Sequence, residues 1–123
     1  MTKTVVQCDF DGTITEEDAS FYLLDAHAEG DWRRLLQEYR QRRISVWDFN
    51  TRAFSMVRAP RSELLRTLRD NVKVRPGFQE FIDYCMTKGL RFAVVSNGLD
   101  FYIEAIMRNL GLQNIEVHAA DTR

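Results

Sequence analysis

Two short apolar runs, TVVQCDF at residues 4–10 and LRFAVV at 90–95, each break off at a polar turn containing glycine. Both are too short for an ordinary helix and carry β-branched residues, so each predicts a buried strand. Between them the sequence shows only helical periodicity. A strand, a block of helices and a return to strands restrict the chain to an α/β arrangement.

Thr15-Glu16-Glu17-Asp18 has the form of a capping box and predicts a helix through residue 28, ended by Gly30. A second helix is predicted over 31–43, with Trp32, Leu35, Leu36 and Tyr39 on one face. Ser45-Val46-Trp47-Asp48 repeats the capping pattern and opens a third, whose predicted inner face includes Trp47, Phe54 and Val57. Pro60 punctuates the chain, and a fourth helix starts at Ser62-Glu63-Leu64-Leu65 and ends near residue 71. Four helices with short links predict a helical bundle or lid. Residues 78–88 then predict a helix with Phe78, Phe81, Ile82 and Cys85 inward, closed by Gly89. A helix over 101–110 and a third strand over 115–119 follow the strand at 90–95. Strand, helix and strand in that order predict parallel βαβ pairing. The expected domains are an α/β core, 1–15 with 77–123, and an inserted helical cap, 16–76.

The first run ends in CDFDGTIT, with Asp9 and Asp11 one residue apart where their charges repel. In an open parallel sheet, ligands bind beyond the carboxyl ends of the strands, where Asp9, Asp11 and Ser96 are all expected. One carboxylate of such a pair can act as nucleophile and the other as a proton donor to a leaving group. A divalent cation offsets their repulsion and neutralises an incoming phosphate. Gly12 permits a tight turn, and Ser96 with the N–H groups of Asn97 and Gly98 offers further phosphate donors. An acidic loop capping a helix explains one aspartate. D-x-D-G-T arises by chance at about one in 10⁵ positions, which favours the functional reading.

Seventeen basic and eighteen acidic residues leave a net charge of −1, giving no field for nucleic acid or an anionic membrane. Neither a membrane-length apolar run nor a basic-then-apolar leader is visible, and Cys8 and Cys85 do not suggest a disulfide framework. A cytoplasmic protein is the expectation.

CDFDGTIT resembles the first signature of the haloacid dehalogenase-like hydrolase superfamily, and VVSNG resembles its second. The helical insertion after the first motif is similar to the C1-type cap of the phosphoserine phosphatase-like branch, and Pro76-Gly77-Phe78 fits the re-entry to the core. The resemblance implies a Rossmann-like parallel sheet, here about three strands, with an inserted four-helix cap. It implies a magnesium-dependent phosphomonoesterase acting on a small phosphorylated metabolite through an aspartyl-phosphate. Asp9 would attack phosphorus, Asp11 would manage protons, and Ser96 would hold the phosphoryl group. Magnesium would sit on the Asp9 side chain and the Asp11 main-chain carbonyl. An acid at position 11 favours esters over halides, because an alkoxide needs a proton to leave.

By the same resemblance, Asp18 matches an acidic residue that grips a substrate ammonium; acids in a first helical turn also favour the helix dipole. The cap arginine of phosphoserine phosphatases aligns with Phe54, with Arg52 beside it. The Arg52-x-Phe54 pattern is closer to methionine-salvage phosphatases acting on 2-hydroxy-3-keto-5-methylthiopentenyl-1-phosphate. The family's later lysine and paired acidic loop have no counterpart here: Asp121 lacks an acidic partner, Arg108 falls in a helix, and Arg123 is the last residue. Three strands would also leave the nucleophile strand with a bare flank. The chain is therefore expected to be completed by a C-terminal segment or through self-association. The competing readings are a non-catalytic phosphate-binding or interaction module, and a phosphomutase.

Overall fold

A computed structural model of the chain describes residues 4–120. Asp121 and Arg123, weighed above, lie outside the described residues. The described strands are β1 (Val5–Cys8), β2 (Arg91–Leu99) and β3 (Glu116–Ala120), joined in one parallel sheet in the order β1-β2-β3. Four helices separate β1 from the rest: α1 (Ala19–His27), α2 (Trp32–Arg40), α3 (Val46–Phe54) and α4 (Arg61–Asn71). Helix α5 (Phe78–Thr87) leads into β2, and α6 (Asp100–Asn109) crosses from β2 to β3. The architecture is the α/β sheet with inserted helices that the sequence predicts. No helix among the described residues is long and apolar enough to cross a membrane.

Strand β2 is the spine of the core, with Phe92, Ala93 and Val94 all buried. Ile82 and Cys85 of α5, Tyr102, Ile103 and Met107 of α6, and Leu64 and Leu68 of α4 pack into the same cluster. A second cluster joins Leu24, Trp32, Leu36, Phe49 and Ala53. Leu23 and Leu24 belong to different clusters, because successive helical side chains point about 100° apart. Helix α1 therefore packs against both, and each fully buried leucine contributes about 2 kcal/mol.

Four local expectations change. Helix α1 begins at Asp18, whose carboxylate caps the Phe21 N–H at 3.0 Å, and not at Thr15. Thr15 is instead buried in the preceding turn. Trp47 is 68 % exposed, because the buried face of α3 is centred on Phe49, Asn50 and Ala53 and Trp47 lies off its flank. Phe81 is 41 % exposed and meets Phe92 edge-on from the margin of α5. Finally, residues 96–98 do not follow β2 but lie within it. Val95 pairs with His118 and Leu99 with Ala120, which sets three residues against one and makes a bulge.

Candidate active site

Strand β1 stops at Cys8, and the chain folds over on itself before α1. The Phe10 carbonyl accepts hydrogen bonds from the N–H groups of Thr13, Ile14 and Thr15 at 3.1, 2.9 and 3.2 Å. Gly12 takes φ +76° with open space around it, so the turn needs glycine for its backbone conformation and not for room. Phe10 and Ile14 anchor the turn in the core on either side of Asp11. The segment returning from the helices clamps it from outside, as Arg75 donates to the Thr13 and Gly12 carbonyls at 2.8 and 3.1 Å.

The two carboxylates meet unlike surroundings. Asp9 is exposed, with Oδ1 accepting from the Phe10 N–H at 2.8 Å and Oδ2 at 3.5 Å from the Thr13 hydroxyl. Asp11 is half-buried, with Oδ1 accepting from the Ala19 N–H at 2.8 Å and Oδ2 from the Tyr102 hydroxyl at 2.6 Å. Burial pushes Asp11 up to about 6, and the charges of Asp18 and Asp9 add to this while its two hydrogen bonds oppose it. Burial beside Asp11 lifts the Tyr102 phenol well above its usual range, so it stays a donor. An accessible carboxylate next to a partly protonated one supplies a nucleophile and an acid at one pH.

This difference sets a pH dependence. Folding raises the Asp11 pKa from 3.8 to about 6, so the folded chain keeps a proton that the unfolded chain has released in between. The associated stability is complete below the unfolded value and is lost as pH rises through the folded one. In chelator-treated protein, wild type should lose about 2 kcal/mol relative to Asp11→Asn between pH 4 and pH 7. Denaturant titration of both proteins at each pH checks this; parallel losses would contradict it.

The bulge in β2 supplies the facing groups. The Gly98 N–H donates to Ser96 Oγ at 2.9 Å, so this amide orients the serine and is not directed at an anion as expected. The serine hydroxyl keeps its own proton to donate. The Asn97 carbonyl accepts from Asn50 Nδ2 of α3 at 2.9 Å, which ties the bulge to the helical block. A cavity of about 190 Å³ opens here, bounded on its polar side by Asp9, Asp11, Asp18, Ser96, Asn97 and Gly98. The remaining lining is Ser20 and Phe21 of α1, Tyr39 of α2, and Val46 and Phe49 of α3. Tyr39 stacks on Phe49 at 5.7 Å, and Phe21 meets Phe49 edge-on at 6.4 Å.

A model of the haloacid dehalogenase-like hydrolases matches residues 6–123. The chain belongs to this family. A 2-hydroxy-3-keto-5-methylthiopentenyl-1-phosphate phosphatase of Brevibacillus brevis is 31 % identical over 117 residues, covering 94 % of this chain and 53 % of the relative. The chain thus spans about half the length of the curated relatives it matches. A HAD-family hydrolase from Salmonella enterica serovar Typhi shares the fold with a TM-score of 0.82 at 17 % identity, over 98 % of this chain and 41 % of that one. A substrate-bound phosphoserine phosphatase structure aligns with a TM-score of 0.74 at 18 % identity, over 98 % and 56 % respectively. At those identities the two structures speak for the fold alone.

Within the haloacid dehalogenase-like frame, six of the residues singled out from sequence line one cavity: Asp9, Asp11, Asp18, Ser96, Asn97 and Gly98. Gly12 shapes the turn without lining that cavity, and Arg52 is exposed on α3 away from its lining. Sequence reasoning missed Ser20, Phe21, Phe49, Asn50 and Tyr102. Ser20 and Phe21 could have been found from their place in the first turn of the helix that starts at Asp18. Nothing local in the sequence marks Tyr102. Among the described residues, no cluster of three or more acidic, histidine or cysteine side chains could hold a metal. His27 bonds Thr67 at 2.8 Å, and His118 pairs with Glu116 at 3.1 Å.

Proposed function

We propose that this chain carries the nucleophile and the proton-handling group of a magnesium-dependent phosphomonoesterase acting on a small phosphorylated metabolite. The observation that carries the reading is the unequal pair in one cavity: exposed Asp9 and half-buried Asp11, with Asp11 raised to about 6. An Asp9 oxygen attacks phosphorus while the ester oxygen departs with the proton of Asp11. The Asp11 carboxylate then takes a proton from the water that cleaves the aspartyl-phosphate, which releases phosphate and restores Asp9. The Ser96 hydroxyl, oriented by Gly98, donates to the transferring group.

The donor set suits magnesium, which takes hard oxygen ligands and is commonly held by one or two carboxylates with water and phosphate. The Asp9 carboxylate and the Asp11 main-chain carbonyl would hold it, and when bound it screens the charge of Asp9 and of the phosphate. The helices over 16–76 act as a cap that carries specificity. Phe21, Tyr39, Val46 and Phe49 suit a leaving group ending in an uncharged, apolar tail, as the methylthio group named for the Brevibacillus relative would be. A carboxylate on the substrate would be repelled by Asp18.

One observation favours a second reading, a phosphoserine-type substrate: half-buried Asp18 lines the cavity and could hold an ammonium. Comparing kcat/KM for an alkyl phosphate with a thioether tail against O-phosphoserine, both with magnesium, separates the two. The first reading predicts at least a tenfold preference for the apolar tail. A preference for phosphoserine selects the second, and release of phosphate from neither overturns the esterase proposal.

A further inference from the structure

The Tyr102 hydroxyl has no part in the steps above, yet its side chain is wholly buried against the groups that perform them. It lies 2.6 Å from Asp11 Oδ2 and 2.6 Å from Ser20 Oγ. A phenol has one proton. With that proton given to Asp11, the Ser20 hydroxyl must be the donor to the tyrosine oxygen. The Tyr102–Asp11 bond falls in the short range of hydroxyl–carboxylate contacts, where hydrogen bonds are strongest.

Both oxygens of Asp11 therefore lead back to α1. Oδ1 is held by the Ala19 N–H directly, and Oδ2 is held by Ser20 through Tyr102. The packing leaves no slack. A Cβ on Gly98 would lie 2.0 Å from the Tyr102 hydroxyl and 2.4 Å from Asp11 Oδ2, so only a hydrogen fits beside the pair. Tyr102 itself is fixed among Phe10 and Phe101, at ring separations of 6.2 and 5.5 Å.

We infer that Ser20, Tyr102 and Asp11 form a positioning chain that fixes the Asp11 carboxyl at the cavity and makes its orientation depend on the seating of α1. The inference rests on the esterase reading for what Asp11 does. Tyr102 is a positioning residue, acting through Asp11 and not on the phosphate. Because α1 is the first helix of the inserted block, the block's placement and the aim of the proton donor become one event.

Tyr102→Phe removes one oxygen and keeps the ring. A positioning role predicts that kcat on alkyl phosphates falls at least tenfold, because an alkoxide needs a well-aimed proton. With a nitrophenyl phosphate, whose leaving group needs no proton, the burst of nitrophenol that marks formation of the aspartyl-phosphate should change less than twofold in rate. Later hydrolysis of that intermediate, which also uses Asp11, should slow. Ser20→Ala should give the same pattern with smaller losses. A nitrophenol burst slowed as much as alkyl phosphate turnover, or no loss in either, would overturn the inference. If wild type hydrolyses neither, the esterase reading fails separately, and proton NMR of the same proteins decides the positioning chain. A slowly exchanging hydroxyl proton should vanish in Tyr102→Phe and shift in both Ser20→Ala and Asp11→Asn. Its absence from wild type, or its indifference to Asp11→Asn, would refute the contact.

Discussion

Asp9→Asn should lower magnesium-dependent hydrolysis of an aryl phosphate by at least about 10³-fold while leaving the fold in place. An amide oxygen is a far weaker nucleophile than a carboxylate, and the substitution also removes the charge proposed to hold a cation. The structural cost is small. Asp9 is exposed, and its one short contact, the 2.8 Å bond from the Phe10 N–H to Oδ1, can be kept by the asparagine oxygen. Stability should therefore change by about 0.5 kcal/mol or less, as for other exposed substitutions. Phosphate release and thermal melting of the two proteins, measured side by side, check both halves. Loss of activity together with a large loss of stability would point to a structural role for Asp9.

Gly98→Ala should be the most destabilising single methyl addition near the site, at about 3–4 kcal/mol. The new Cβ would meet the Tyr102 hydroxyl at 2.0 Å and Asp11 Oδ2 at 2.4 Å, both held by packing and hydrogen bonds. Overpacking of this kind costs about 1–3 kcal/mol, and displacing Tyr102 forfeits hydrogen bonds worth about 1 kcal/mol each. Gly12→Ala provides the control. Its Cβ meets nothing within 4 Å, so its cost is the left-handed backbone alone, about 1–2 kcal/mol. Denaturant unfolding of both variants should rank Gly98→Ala as the worse. The reverse order would show that Tyr102 yields easily, and would weaken the case that it fixes Asp11.

The features legible in sequence are those that local chemistry determines. CDFDGTIT identifies its own turn, since Gly12 must take a positive φ and apolar residues anchor either side. Asp31 and Ser45 were readable as the starts of their helices, and both caps form, at 3.3 and 3.0 Å. The capping-box pattern puts the start of α1 at Thr15, three residues too early, although Asp18 suits an N-cap as well. The turn after β1 decides it, as the Thr15 hydroxyl is engaged by the Gly12 N–H and the Glu17 carbonyl. Trp47 was misplaced because a nine-residue helix contains too few turns to fix its phase. The site's second layer was out of reach for a different reason. Tyr102 and Asp11 are 91 positions apart, and Asn50 and Asn97 are 47 apart. Such pairs arise from how α6 and α3 pack, which no local pattern encodes. The aromatic wall was visible only as residues that suit any helical core.

The central claim, that Asp9 bonds covalently to phosphorus, is tested most directly by mass spectrometry. The chain is mixed with magnesium and an aryl phosphate, quenched in acid and digested. A phosphoryl adduct is predicted on the peptide containing Asp9, and it should be absent from Asp9→Asn treated in the same way. Phosphate binding or release with no adduct on that peptide, or an adduct that survives Asp9→Asn, would contradict the claim.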